Sequence, residues 1–174
     1  DESIVYPKYQ GIFFNTPLQA STPDLLTADN VFVRFLVRLN AHEEYSSSQA
    51  GDAKNRITWG LTASPTGKPA HYVEVNLWRT SNFDLCTDPA KDTAGALDRC
   101  DPYYIRYFDG GQLGKVTGKS IAPLGSDWTY YLLPVSQLFR AAFASAGLAN
   151  APLTGSYLGV ESWGKTRTWL EIKG

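Results

Sequence analysis

Three stretches of this chain change character at every second residue, and that period limits the available folds more than any composition figure does. Val31, Val33, Phe35, Val37 and Leu39 alternate with Phe32, Arg34, Leu36 and Arg38. Val73, Val75 and Leu77 alternate with Tyr72, Glu74, Asn76 and Trp78, and Leu158, Val160 and Ser162 alternate with Tyr157, Gly159, Glu161 and Trp163. Successive side chains of a strand point to opposite faces, so each stretch reads as a β-strand with one core face and one more polar face. Aromatic residues make up 13% of the chain, and 15 glycines and 10 prolines break up the short apolar runs. The expected fold is therefore all-β, a two-sheet antiparallel β-sandwich or jelly roll. Strands are expected near Val31–Leu39, Ile57–Ala63, His71–Arg79, Tyr103–Phe108, Thr129–Leu133, Tyr157–Ser162 and Arg167–Ile172.

One segment departs from this period. Between Pro134 and Gly147, Val135, Leu138, Phe139, Ala142, Phe143 and Ala146 recur at helical spacing, with proline at the start and glycine past the end. That pattern predicts a single α-helix at about 134–146. Ser64 to Pro69 reads as a hairpin loop, Asp109-Gly-Gly111 as a tight turn, and His42 to Asn55 as a polar surface loop. At 174 residues the chain is expected to form one β-jelly-roll domain, 1–174.

A formal charge of −1, with no run of like charges, provides no footprint for nucleic acid or an anionic membrane, and neither partner is expected. No apolar stretch approaches the ~20 residues of a membrane span. The chain has no methionine and begins at Asp1, so we expect a segment upstream, either a removed export signal or a trimmed piece. Secretion, or export to a periplasm, is the expected localisation, and a monomer the expected state. In an oxidising compartment Cys86 and Cys100 would close a small disulfide ring; in a reducing one they would be free thiols. Asp84, Asp88, Asp92, Asp98 and Asp101 offer oxygen ligands for a structural calcium, but their spacing matches no known calcium loop, and a polar loop is the commoner case. No other cofactor or metal is expected. The two histidines, His42 and His71, follow no nucleophile elbow and form no zinc pattern with the cysteines.

The candidate site follows from strand parity. Glu74 shares a face with Tyr72, Asn76 and Trp78, and Glu161 shares one with Tyr157 and Trp163. Rings stack on the apolar faces of sugars, while carboxylates hydrogen-bond hydroxyls or do acid/base work. Glu74 and Glu161 are thus candidate catalytic residues. Trp78, Trp163, Asn76, Tyr72, Tyr157 and Trp59 are candidate substrate-binding residues, for a polysaccharide or oligosaccharide. A retaining mechanism would need the carboxylates about 5 to 5.5 Å apart across a solvent-filled cleft, with one of them raised in pKa. Sugar binding without catalysis, a structural or adhesive domain, and solvated strand glutamates paired with basic neighbours stay open beside this reading.

Glu74-Val-Asn-Leu-Trp78 resembles the nucleophile strand of the family 12 glycoside hydrolases, with glutamate and tryptophan at i and i+4. Gly159-Val-Glu161, shortly after a helix, is similar to that family's acid/base strand, and Trp59-Gly-Leu-Thr-Ala-Ser64 to its preceding hairpin. Gly60 stands where the family carries an aspartate, and Asn76 where it carries methionine. The resemblance implies a two-sheet jelly roll and a retaining endo-β-glycanase, with Glu74 as nucleophile and Glu161 as acid/base.

Overall fold

A computed structural model describes residues 10–16, 22–44, 54–80, 105–119, 121–163 and 166–173. Its strands are β1 (Gln10–Thr16), β2 (Phe32–Glu44), β3 (Lys54–Ala63), β4 (His71–Arg79), β5 (Ile105–Phe108), β6 (Thr129–Pro134), β7 (Leu153–Trp163) and β8 (Thr166–Lys173). Two helices accompany them among the described residues, α1 (Gly110–Thr117) and α2 (Val135–Phe143). A five-stranded sheet runs β1-β7-β3-β4-β5 and a three-stranded sheet β6-β2-β8. The core lies between them. Phe35 and Val37 of β2 and Tyr131 and Leu133 of β6 meet Ile57, Trp59 and Leu61 of β3, Val73, Val75 and Leu77 of β4, and Leu158 of β7, with Leu138, Phe139 and Phe143 of α2 joining the same cluster. These are the apolar positions of the alternating stretches, so the fold is the expected β-sandwich.

Several features differ from expectation. Asp109-Gly-Gly111 opens helix α1 instead of making a tight turn. The Asp109 side chain accepts from the Gln112 N–H at 2.9 Å while the Gln112 side chain accepts from the Asp109 N–H at 3.0 Å, a reciprocal cap that satisfies the first-turn donors. Helix α2 is shorter than 134–146, with its last helical residue at Phe143 and Pro134 still in β6. β2 continues through His42 to Glu44, where a polar loop was expected, because β8 pairs with its backbone as far as Glu44 opposite Thr166. β1 was not anticipated at all. β4 and β5 pair in parallel, an exception to the antiparallel rule that the long connection between them permits.

Among the described residues no helix is long and apolar enough to cross a membrane. Cys86, Cys100, Tyr103 and the aspartates from Asp84 to Asp101 lie outside the described residues, and so do the expectations placed on them.

Candidate functional site

The strand between the two glutamates organises the site. β3 lies between β4 and β7, and on it Ile57, Trp59 and Leu61 face the core while Arg56, Thr58 and Gly60 face the other way. Register then places Glu74 opposite Gly60, Gly60 opposite Tyr157, and Arg56 opposite Glu161. Arg56 stands between two carboxylates. Its Nε donates to Glu161 Oε2 at 2.6 Å, and its Nη2 is 3.0 Å from Glu74 Oε2. Spanned by one guanidinium, the two Oε2 atoms are at most about 8 Å apart, within the range over which glycosidase carboxylates cooperate. The guanidinium carbon sits 4.9 Å above the ring of Tyr107 on β5, and the Tyr157 hydroxyl donates to Glu74 Oε1.

All three charged side chains are buried: Glu74 is 5% exposed, Glu161 4% and Arg56 6%. A solvent-filled trough was expected, and this corrects it. The carboxylates emerge on one face as strand parity required, but they are closed in and clamped by an arginine. Burial pushes the Glu74 carboxyl above the ordinary carboxylate range, although Arg56 and the Tyr157 hydroxyl pull it down. Burial alone would lower the Arg56 guanidinium, but Glu74 and Glu161 outweigh it and hold the group above its usual value. Burial, then Glu74, raises both tyrosines, Tyr107 to about 12 and Tyr157 further, so both stay neutral hydrogen-bonding groups.

Gly60 is required by close approach. A Cβ there would meet Tyr157 Cζ at 2.2 Å, so the missing side chain leaves room for the tyrosine ring to cross β3 and reach Glu74. Arg56 was missed because the expected strand began at Ile57, three residues after the observed start at Lys54. The alternation Arg56, Thr58, Gly60 was the signal that would have found it.

The aromatic candidates divide. Tyr157 joins the cluster, and Tyr72, half-buried, shares the Glu74 face opposite Thr62 and Ile105. Trp59 is a core residue, 2% exposed, with its indole N–H donating to Ser156 Oγ at 3.0 Å; its odd position on β3 dictates that side. Trp78 is also not on the face that simple parity assigned. The β3–β4 register shifts between Ile57 and Thr58, which pair with Trp78 and Asn76, so β4 carries one extra residue there. The Trp78 ring packs against the core and lies 4.8 Å from the ring of His42, on the opposite sheet. Trp163 pairs with Lys54 through its backbone, and its side chain is outside the described residues. Asn76 is buried, its amide donating to the Phe108 carbonyl at 3.4 Å, while its Oδ1 has no hydrogen-bond partner among the described residues. Beside it a cavity of about 410 Å³ is lined by Asn76, Trp78, Arg79, Asp109 and Gly110, among others.

Two facing sheets, a buried core between them and a polar face behind the larger sheet define a β-jelly-roll protein. Among solved structures the chain is similar to a loop-swap mutant of the xylanase Xyn11A from Neocallimastix patriciarum, with a TM-score of 0.50 and 11% identity over 95% of this chain and 76% of the other. It also matches the family 11 xylanase from the same organism, with a TM-score of 0.48 and 11% identity over 94% and 75%. The first likeness shows a shared fold, and it does not single out family 12. No protein-family model matches the sequence, and no curated protein matches it.

Proposed function

We propose that the protein is an exported, monomeric glycoside hydrolase of retaining type that acts on a β-linked polysaccharide, with Glu74 and Glu161 as its working carboxylates. The observation that carries this reading is the convergence of two buried glutamates, from separate strands, on one guanidinium within about 8 Å of each other. Paired carboxylates in a low-dielectric pocket are what acid-assisted glycosidic cleavage uses. The likeness of the two glutamate strands to those of family 12 enzymes supports it, and the xylanase-like fold makes xylan the first substrate to try. Asn76, which lines the adjoining cavity, and Tyr72 and Tyr157, on the face of Glu74, supply the contacts to sugar hydroxyls.

A second reading, a non-catalytic carbohydrate-binding module or lectin, is favoured by the burial of the carboxylates and their clamp. Reducing-sugar release from xylan and β-glucans, run beside a glycan array, separates the two. Turnover by the parent that Glu74→Gln abolishes supports the hydrolase. Binding without turnover supports the module, and neither binding nor turnover refutes both.

A further inference from the structure

We propose that the cavity at the start of helix α1 is a pocket for one neutral pyranose unit of the glycan. This rests on the carbohydrate reading of the site and asks nothing of turnover. The pocket is a notch in the larger sheet. β5 ends at Phe108, which pairs with Val75, while β4 runs on to Arg79, and among the described residues no strand lies beside residues 76–79 on that edge. The chain turns at Asp109 into α1 instead, and the space left is about 410 Å³, the size of a small-ligand pocket. Asn76 on its wall is 6% exposed; its Nδ2 donates to the Phe108 carbonyl at 3.4 Å, and its Oδ1 has no hydrogen-bond partner among the described residues. A buried acceptor of that kind calls for a donor. Asp109 caps the Gln112 N–H, which leaves the first-turn N–H groups of Gly110 and Gly111 without an acceptor among the described residues, and glycine at both positions keeps the backbone bare to a ligand. The notch therefore asks for a small molecule that both donates and accepts hydrogen bonds. Adjacent sugar hydroxyls do both. Trp78, which the β4 bulge turns off the Glu74 face, lines the notch with Ile121 and Pro123, and supplies a flat apolar wall on which a pyranose ring packs. Asp109 already answers the positive end of α1, and with Arg79 it leaves the described walls without net formal charge, so a neutral ring fits better than an anion. Asn76 is two residues beyond Glu74 on one face of β4, about 7 Å along the strand, so the bound ring neighbours one beside the carboxylates.

The test titrates the full chain, labelled with nitrogen-15, with xylotetraose and cellotetraose, and with glucuronate and inorganic phosphate as charged controls. We expect a neutral tetraose to move the backbone amide signals of Gly110 and Gly111 and the side-chain amide of Asn76, with the charged controls leaving them in place. Calorimetry on variants locates the contacts. Asn76→Leu keeps the shape and removes the acceptor. Gly110→Pro removes one N–H at the first helical position, which proline favours, and the extended backbone of Asp109 before it suits a following proline. Gly110→Ala adds the same Cβ, 3.3 Å from the Ile121 carbonyl, and keeps the N–H. Asn76→Leu and Gly110→Pro should each weaken tetraose binding about three- to tenfold, and Gly110→Ala should stay near the parent. A parent that binds either tetraose while these amides stay still and both variants keep full affinity overturns the pocket and leaves the carbohydrate reading standing. Glucuronate or phosphate moving the same amides where neither tetraose does overturns the neutral ligand. A parent that binds no glycan refutes the pocket and the carbohydrate reading together.

Discussion

Removing the cation from between the two glutamates is the sharpest perturbation of this protein. Arg56→Met keeps much of the aliphatic stem and deletes the charge, leaving two carboxylates, 5% and 4% exposed, without their counter-charge. At a separation of at most about 8 Å and an effective dielectric near 20, the mutual repulsion of the two ionised groups is at least about 2 kcal/mol. Stranding buried charges by deleting one partner costs about 3–5 kcal/mol in all. We expect a loss of that size in urea unfolding at neutral pH. The loss should shrink on acidification, because a proton on Glu74 does part of the work of the guanidinium. The triple variant Arg56→Met, Glu74→Gln, Glu161→Gln should recover most of the stability, since no unpaired charge remains. A loss below about 1 kcal/mol, or one independent of pH, would refute the view that charge compensation by Arg56 holds this face together.

Glu74→Gln tests the raised carboxyl by itself. Between the ordinary carboxylate range and the higher folded-state value, the folded chain holds a proton that the unfolded chain has released. The stability this contributes is complete below the ordinary range and is lost as pH rises through the raised value. Thermal melts should therefore show the parent losing more stability from acidic to neutral pH than Glu74→Gln, and parallel curves would contradict this. Gly60→Ala forces the Tyr157 ring off Glu74, with an expected cost of about 1–3 kcal/mol by calorimetry, partly relieved by adding Tyr157→Ala. Trp59→Phe, in the core, should lower stability by about 1 kcal/mol through its lost hydrogen bond to Ser156 and leave glycan binding unchanged; weakened binding at full stability would return Trp59 to the site. Asp109→Ala should cost about 1 kcal/mol by removing the α1 cap, read as a lower urea midpoint.

Periodicity alone was enough for the sandwich. Val73, Val75 and Leu77, or Phe35 and Val37, can be buried together only if their strands put them on one side, and the stripe from Val135 to Phe143 can be buried only as a helix. The same local rule brought Glu74 and Glu161 onto a common face. Helix α1 was written locally too, in the Asp109 and Gln112 pair, but the two glycines between them read more readily as a turn.

Pairing between strands decided the rest, since no single segment contains it. Whether Trp78 lies beside Glu74 or beneath the sheet depends on β4 having one residue more than β3 at that point, which is a property of two strands in register. Whether the two glutamates meet depends on β3 lying between their strands and presenting Arg56 rather than an apolar side chain. Burial of the cluster, and with it the rise of the Glu74 carboxyl, comes from the surrounding packing. Side-chain direction is a local consequence of backbone geometry and can be counted along a chain. Neighbourhood and dielectric are collective and exist only once the sheets have assembled.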